Sequence, residues 1–393
     1  MRILYITHSC PYPPNKGDRI RSFHLLRHLA SQYEVILIYP SFSSLEVGHR
    51  AVLQQYCHDV YTVQLSRCFS KLKCLLELWK GGPLTLAYFH SEKLQQKVNQ
   101  GNFEIAVADC SSMAPYILGL PQPKIVDFVD VDSEKWKIYA KRGFFPLSWI
   151  YQLESQRLRK FETDVVKRTQ ACLVTSEQER QCLPLNDHVM VVPNGVDTDY
   201  FHPNRSASAL ECPTLLFMGA MDYFANIDGV LFFHETILPL IIQEIPEVEF
   251  IIAGMNPTQQ IRRLEGPNTI VTGFVPDMRL YLNRATVCVV SLRIARGVQN
   301  KVLEAMAMNV PVVATSVANR GINARDGQEI LLADSPDTFS EAVVALLKDS
   351  GLRDLLVARA RQFVERNFSW EQSFRMVDSA IAQAFGTKKF SIK

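Results

Sequence analysis

Two successive series of short, nearly uninterrupted apolar runs, each separated by longer helical patterns, restrict the fold of this chain more than any other feature. The first series is RILYIT (2–7), EVILIY (34–39), EIAVAD (104–109), KIVDFV (124–129) and QACLVT (170–175). The second is TLLFMG (214–219), VEFIIAG (248–254), NTIVTGF (268–274), TVCVVS (286–291) and VPVVAT (310–315). Strands that are apolar at every position belong to parallel sheets covered on both faces. Helical patterns over 19–31, 45–57, 92–100 and 148–168, then over 225–243 and 299–308, supply the covering layers. This alternation predicts an α/β chain of doubly wound, Rossmann-like design.

The segment VMVVPNGVDTDYFHPN (189–204) breaks the rhythm with a strand, an Asn-Gly turn and no helical period. It divides the chain into an expected first domain over 1–195 and a second over 196–369. Amphipathic patterns follow at 336–348 and 352–366. A last helix lies within 370–393, with Ser369 as its N-cap and Glu371 and Gln372 in its first turn. A length of 393 residues agrees with two to three domains at roughly 150 residues each.

Charge and cysteine usage narrow the functional classes. The 42 Lys and Arg against 40 Asp and Glu leave no electrostatic footprint for a dedicated nucleic-acid binder. The nine cysteines form no Cys-x-x-Cys pair, and Cys172 and Cys288 sit inside apolar runs where a thiol acts as a small hydrophobe. This usage predicts a reduced, cytoplasmic protein without disulfide framework or zinc site. The N-terminus lacks the long apolar core of a signal peptide, and no stretch reaches 18 uninterrupted apolar residues. The expectation is a protein in the cytoplasm, or lying at the inner face of the plasma membrane.

In open α/β sheets ligands bind beyond the carboxyl ends of strands, so those loops hold the candidate residues. The loop 7–22 places Gly17 and Asp18 before a helix with Arg19 and Arg21 in its first turn. It reads either as an anion site or as a Pro-rich connection. In the second series Gly219, Gly254 and Gly273 each close a strand, the last followed by Phe274 and Val275. Three such glycines suggest a cleft where backbone approaches a flat or phosphorylated ligand. Near SLRIARGVQNKVLEAMAM (291–308), Arg296, Gly297, Val298 and Asn300 lead into a helix bearing Lys301 and Glu304. A lysine at the positive end of a helix dipole is unfavourable unless an anion is present, which points to phosphate. Glu304, at i+3, suits the vicinal hydroxyls of a ribose; a plain surface Lys–Glu pair is the competing reading.

These runs carry a resemblance. GDRIRSFHLLRHL, VTSEQER, VVPNGVDTDYFHP, MGAMDYFANIDGV, IIAGMNP, VTGFVPD, GVQNKVLEAMAMNVPVVAT and FSWEQSF together resemble the retaining nucleotide-sugar glycosyltransferases of family 4. DFVDVDSEKW, GAMDY and RGVQNKVLEAMAM resemble a narrower subgroup associated with exopolysaccharide systems of PEP-CTERM protein-sorting bacteria. The resemblance implies the GT-B fold: two Rossmann-like domains facing a cleft, with the last helix crossing back onto the first. It implies a nucleotide-sugar donor in the second domain and a carbohydrate or lipid-linked acceptor in the first, with no metal cofactor. By position, Glu304 would hold the ribose, Gly297, Val298 and Lys301 the diphosphate or sugar, Phe274 and Val275 the base, and Gly17 the donor phosphates.

Three places depart from the family pattern. Arg296 stands where many members carry the first of two Glu residues. Ala220 and the Asp228–Gly229 pair occupy the positions of two phosphate-binding cations, for which Lys301, Arg293 or Arg296 would substitute. Val129–Asp130 replaces a His-Asp pair, leaving Asp130 as the candidate catalytic contact there. Front-face retention, in which the leaving diphosphate accepts the acceptor's proton, requires positioning and charge stabilisation but no side-chain base.

Other readings remain open at this stage. Asp130-Val131-Asp132 has the form of a metal-chelating Asp-x-Asp, or of a helix start capped by Asp132 or Ser133. Asp127, Asp130 and Asp132 could contact hydroxyls, and His8 could touch substrate or be a satisfied strand-end histidine. KLKCLLELWK (71–80) and KWKIYAKRGFFPLSW (135–149) either pack on their own domain or rest on an anionic bilayer. A GT-B-like protein without transfer activity (an isomerase, a phosphorylase or a partner subunit) is the alternative to a transferase.

Overall fold

The computed structural model describes residues 1–15, 17–43, 48–184, 187–203 and 212–386; Lys16, the first three residues of the expected 45–57 helix, Asn204 of the 189–204 segment and the tail at 387–393 lie outside the described residues. The chain divides into two units, Met1–Pro193 with Ser373–Lys393, and Asn194–Gln372.

The first unit holds β1 (Arg2–Ile6), β2 (Glu34–Ser41), β3 (Asp59–Gln64), β4 (Ile105–Asp109), β5 (Lys124–Val129), β6 (Ala171–Val174) and β7 (Val189–Val191). All pair in parallel, in the order β3-β2-β1-β4-β5-β6-β7. Successive residues of β1 enter opposite cores: Leu4 and Ile6 join one cluster, Ile3 and Tyr5 the other. That two-sided burial is why the run carries no polar alternation. β3, with Thr and Gln breaking its apolar pattern, was not foreseen. Within the expected 45–57 helix only Arg50–Leu53 forms a described α-helix.

The second unit holds β8 (Thr214–Met218), β9 (Glu249–Ala253), β10 (Thr269–Gly273), β11 (Val287–Val290), β12 (Val312–Ala314) and the two-residue β13 (Leu331–Leu332). Its parallel order is β10-β9-β8-β11-β12-β13. Both units are Rossmann-like. Strand order reverses at β1/β4 in one and at β8/β11 in the other, the switch points where open α/β sheets take ligands.

Phe224–Glu244 is long and apolar enough to cross a membrane by length and composition. Val230, Phe233, Ile237, Leu238 and Ile241 are instead buried in the core of the second unit. A π-helical turn, Phe233–Ile237, interrupts this helix just before Pro239, which has no N–H to give the preceding turn. The last helix, Trp370–Ala384, begins with Ser369 Oγ accepting from the Gln372 amide at 3.3 Å. It lays Val377, Ala380, Ile381 and Ala384 into the core of the first unit.

Candidate functional site

Three of the singled-out glycines lie side by side at the carboxyl edge of the second sheet. Gly219 N–H donates to Ala253 O at 3.0 Å, and Gly254 N–H donates to Gly273 O at 3.1 Å. A Cβ on Gly254 would fall 1.7 Å from the Gly219 oxygen, so no side chain fits there. A Cβ on Gly219 would meet Asn226 Nδ2 at 2.6 Å and Lys301 Nζ at 3.1 Å. The absent side chains therefore leave room for groups of the site itself. Phe274 projects outward beyond Gly273, whereas Val275 packs on the core.

Asn226 organises this edge and was not anticipated. Its Nδ2 donates to Ala220 O at 2.9 Å while its Oδ1 accepts from Lys301 Nζ at 2.6 Å. Lys301 also lies over the Phe217 ring, 4.5 Å from its centroid. It occupies the first turn of the helix Asn300–Ala307, which follows Gly297 in the left-handed region at φ 58°. Gly321 lets that turn close, since a Cβ there would sit 2.1 Å from Gly297 O. Asn194 of the Pro-Asn-Gly linker donates to Asn300 Oδ1 at 3.2 Å, tying the linker to the helix start. The sequence signal for Asn226 was its place in the first turn of the helix after β8.

Burial governs both charges of the candidate pair. It lowers Lys301 to about 8 against the opposing pull of Cys288 and Glu304, and it raises Glu304 to about 7 against the pull of Lys301. The Glu304 carboxylate accepts no hydrogen bond among the described residues, although the residue is half-buried. It is not a surface Lys–Glu ion pair: Lys301 spends its ammonium on Asn226. A half-buried carboxylate with empty acceptor positions, one turn from an ammonium and from helix-start amides, can receive vicinal hydroxyls while its neighbours hold a diphosphate.

Arg293 does not lie open as a replacement phosphate cation. Its guanidinium pairs with Asp228 at 2.5 and 3.0 Å and stacks over Phe232. Arg296 is half-buried beside Gly297, and its carbonyl accepts from the Gln299 side chain at 2.8 Å.

In the first unit the structure removes two candidates from ligand contact. Arg21 is fully buried, giving Nε and Nη2 to the Asp127 carboxylate at 2.7 and 3.1 Å and Nη1 to Val192 O. Both are interior groups pinning β5 and the residue after β7 to the helix Gly17–Gln32. Asp132 is not a chelator in this geometry: Ser111 Oγ and Lys135 Nζ occupy its two oxygens at 2.7 and 2.6 Å. The helix Asp132–Arg142 begins after Val131, without the expected Asp132 or Ser133 cap. Glu179 and Glu162 accept from the Val131 and Ser133 amides in its place. Asp130 accepts from Thr175 Oγ1 at 3.2 Å.

His8 is a satisfied strand-end histidine. Its Nδ1 lies 3.2 Å from Asp109 Oδ2 and from Cys110 Sγ, and its Nε2 lies 3.2 Å from Asp18 Oδ2. Burial opposes charge on the ring, yet Cys110 and the two carboxylates outweigh it and hold its pKa well above the usual value. His8, Asp109 and Cys110 form the one group among the described residues whose atoms are close enough to hold a metal ion. Gly17 opens the helix beside Asp18. Next to this cluster, Cys110 and Val129 adopt φ of 70° and 62° at the ends of neighbouring β4 and β5. Positive φ is uncommon for cysteine and a genuine outlier for a β-branched valine. Strain of this kind clusters at active sites, ligand clamps and switch regions.

Residues 212–349 match the family model described as glycosyl transferases group 1. Together with the GT-B fold, this match supports the glycosyltransferase superfamily. Among curated proteins, an uncharacterized 44.6 kDa protein in the cps region of Klebsiella pneumoniae is 20% identical over 96% of this chain and 98% of its own. A phosphatidyl-myo-inositol mannosyltransferase of Mycolicibacterium smegmatis is 26% identical over 47% of this chain and 50% of its own. Among solved structures, a sucrose-phosphate synthase from Thermosynechococcus elongatus superposes with a TM-score of 0.72 at 17% identity, over 99% of this chain and 100% of that one. Anabaena HepE in complex with UDP gives 0.70 at 13% identity, over 97% and 100%. At such identities the structures speak for the fold alone.

Proposed function

We propose that this chain transfers a sugar, with retention, from a nucleotide-sugar donor to a carbohydrate or lipid-linked acceptor in cell-surface polysaccharide or exopolysaccharide synthesis. One observation carries the reading: at the β8/β11 switch point, side-chain-free backbone at Gly219 and Gly254 adjoins a buried ammonium and a carboxylate without a hydrogen bond. In this reading Glu304 accepts from the ribose hydroxyls. Lys301 and the amides after Gly297 hold the diphosphate, and Phe274 stacks on the base beside Val275. As the leaving diphosphate gains charge, Lys301 and the helix dipole stabilise it. The leaving group itself takes the acceptor's proton, and Asp130 orients a hydroxyl in the first unit. No step is routed through a metal ion. The cps-region relative, the mannosyltransferase and the UDP complexes of HepE support the class of reaction and make UDP the first nucleotide to test.

The competing reading is a GT-B protein without transfer activity. It is favoured by Arg293, which is committed to Asp228 and leaves Lys301 with less help at the phosphates. A thermal-shift panel of UDP, GDP, TDP, CMP and ADP on wild type and Glu304→Ala separates the two. A nucleotide at 100 times its Kd stabilises by about 2.7 kcal/mol. A shift with one nucleotide that disappears in Glu304→Ala, followed by acceptor-dependent release of that nucleotide, is the expected result. No shift with any nucleotide in folded protein would sink the transferase reading.

A further inference from the structure

The helix Arg67–Lys80 presents its apolar stripe to the outside of its own unit. Phe69, Leu72, Leu75, Leu76 and Trp79 are all exposed, Trp79 to 91%, and Ser70 is the only buried residue of the helix. At 100° per residue these five cover a stripe about 120° wide, the width a core-facing helix normally buries. Lys71 lies along one edge of the stripe and Lys80 along the other.

Polar contacts, and not that stripe, hold the helix in place. Arg157 caps its end by donating to Leu78 O and Gly82 O, each at 3.0 Å. Glu154 accepts from the Leu84 and Thr85 amides at 2.6 and 2.8 Å, fixing the next helix. Lys73 donates to His90 O and Cys74 Sγ to Leu84 O. Arg157 and Glu154 belong to the helix Leu147–Arg168, and the beginning of that helix forms a second outward apolar group. Phe144 is 90% and Phe145 84% exposed there, with Leu147 and Trp149 also outward and Lys141 exposed beside them. Both groups are therefore attached to the helix Leu147–Arg168.

Exposed aromatic and leucine side chains edged by lysines match the interfacial region of an anionic bilayer: rings enter at headgroup depth while the ammonium groups reach lipid phosphates. Arg67, Lys71, Lys73 and Lys80 against Glu77 alone give the helix the matching sign. We propose that the Arg67–Lys80 stripe and the 144–149 group form a docking face for an anionic membrane surface. The inference rests on the surface of the first unit and is independent of the transferase reading.

The test is co-sedimentation of the full chain with vesicles of phosphatidylcholine alone and of equal parts phosphatidylcholine and phosphatidylglycerol. Wild type is expected to pellet with the anionic vesicles and to be released at about 1 M salt, where the Debye length is about 3 Å. Trp79→Ser/Phe144→Ser/Phe145→Ser should bind about tenfold more weakly or worse. Lys71→Glu/Lys80→Glu should lose more than tenfold on anionic vesicles. All substituted positions are exposed, so unchanged melting and nucleotide shifts report an intact fold. Equal pelleting of wild type and the aromatic variant, or none by wild type, overturns the proposal. So does sedimentation velocity showing a wild-type dimer that the aromatic variant dissolves, since the occupant is then a second copy. A missing nucleotide shift alongside vesicle binding would remove the transferase reading and leave this face standing.

Discussion

At the scale of single residues, Glu304 and Lys301 link stability to pH in opposite directions. Glu304 has a folded pKa raised to about 7, so its contribution to stability is full below its ordinary value near 4.5 and is lost as pH rises through about 7. Glu304→Gln removes that loss. It should melt like wild type near pH 4.5 and at a higher temperature above pH 7, by up to about 3 kcal/mol of stability. Lys301, with its pKa lowered to about 8, behaves in reverse: its contribution is present above its ordinary value near 10.5 and is lost as pH falls through about 8. Nucleotide binding requires the carboxylate and the ammonium together. Affinity measured by calorimetry should therefore peak between about pH 7 and pH 8 and fall on both sides. A flat profile from pH 6 to 9 would remove the pair from the site. Glu304→Gln that melts higher yet loses the nucleotide shift would assign the buried charge to function rather than to stability.

Among the elements, the strand-end glycines separate into two kinds. Gly254→Ala drives a methyl into the Gly219 oxygen, so backbone must move. The melting temperature and the nucleotide shift should both fall. Gly273→Ala meets no atom within 4 Å and strains only its φ of 70°, at about 1–2 kcal/mol. Its melting point should drop by a few degrees with the shift retained. Asn226→Ala should leave the fold intact, since only the Ala220 and Lys301 contacts are lost. It frees Lys301 and should weaken nucleotide binding about tenfold through the misplaced ammonium. Equal melting losses for Gly254→Ala and Gly273→Ala would refute the packing argument. The parallel strands and the glycine edge were legible because burial on both faces forces continuous apolar runs and close backbone forces glycine. Asn226 was hidden because its role is made by tertiary hydrogen bonds and asparagine is ordinary near a helix start. The His8, Asp109 and Cys110 cluster was hidden because β1 and β4 lie a hundred positions apart in sequence and adjoin only in the sheet. Arg21 looked like an anion-binding residue by position; Asp127, 106 residues away, makes it an interior one.

For the whole molecule, the last helix decides which unit depends on the end of the chain. Trp370–Ala384 begins in the second unit, yet from Ser373 onward it belongs to the first. Val377, Ala380, Ile381 and Ala384 are buried there, Ser373 Oγ donates to Pro193 O at 2.7 Å, and Phe374 stacks on His28 at 4.2 Å. His28 also meets Asp378 Oδ1 at 2.8 Å. Burying Val377 and Ile381 alone stabilises the first unit by about 3–6 kcal/mol. Deleting residues 373–393 removes Val377, Ala380, Ile381 and Ala384 from that core and leaves the second unit whole. The first unit's transition should fall by about 10 °C or more. The second unit keeps its own core, Gly219, Gly254, Asn226, Lys301 and Glu304. In calorimetry the truncated chain should show two transitions, the lower one unmoved by nucleotide and the upper one raised by it. A single transition that nucleotide still shifts as a whole would mean that the helix contributes little to the first unit. Loss of the nucleotide response with a surviving upper transition would mean that binding requires the first unit as well.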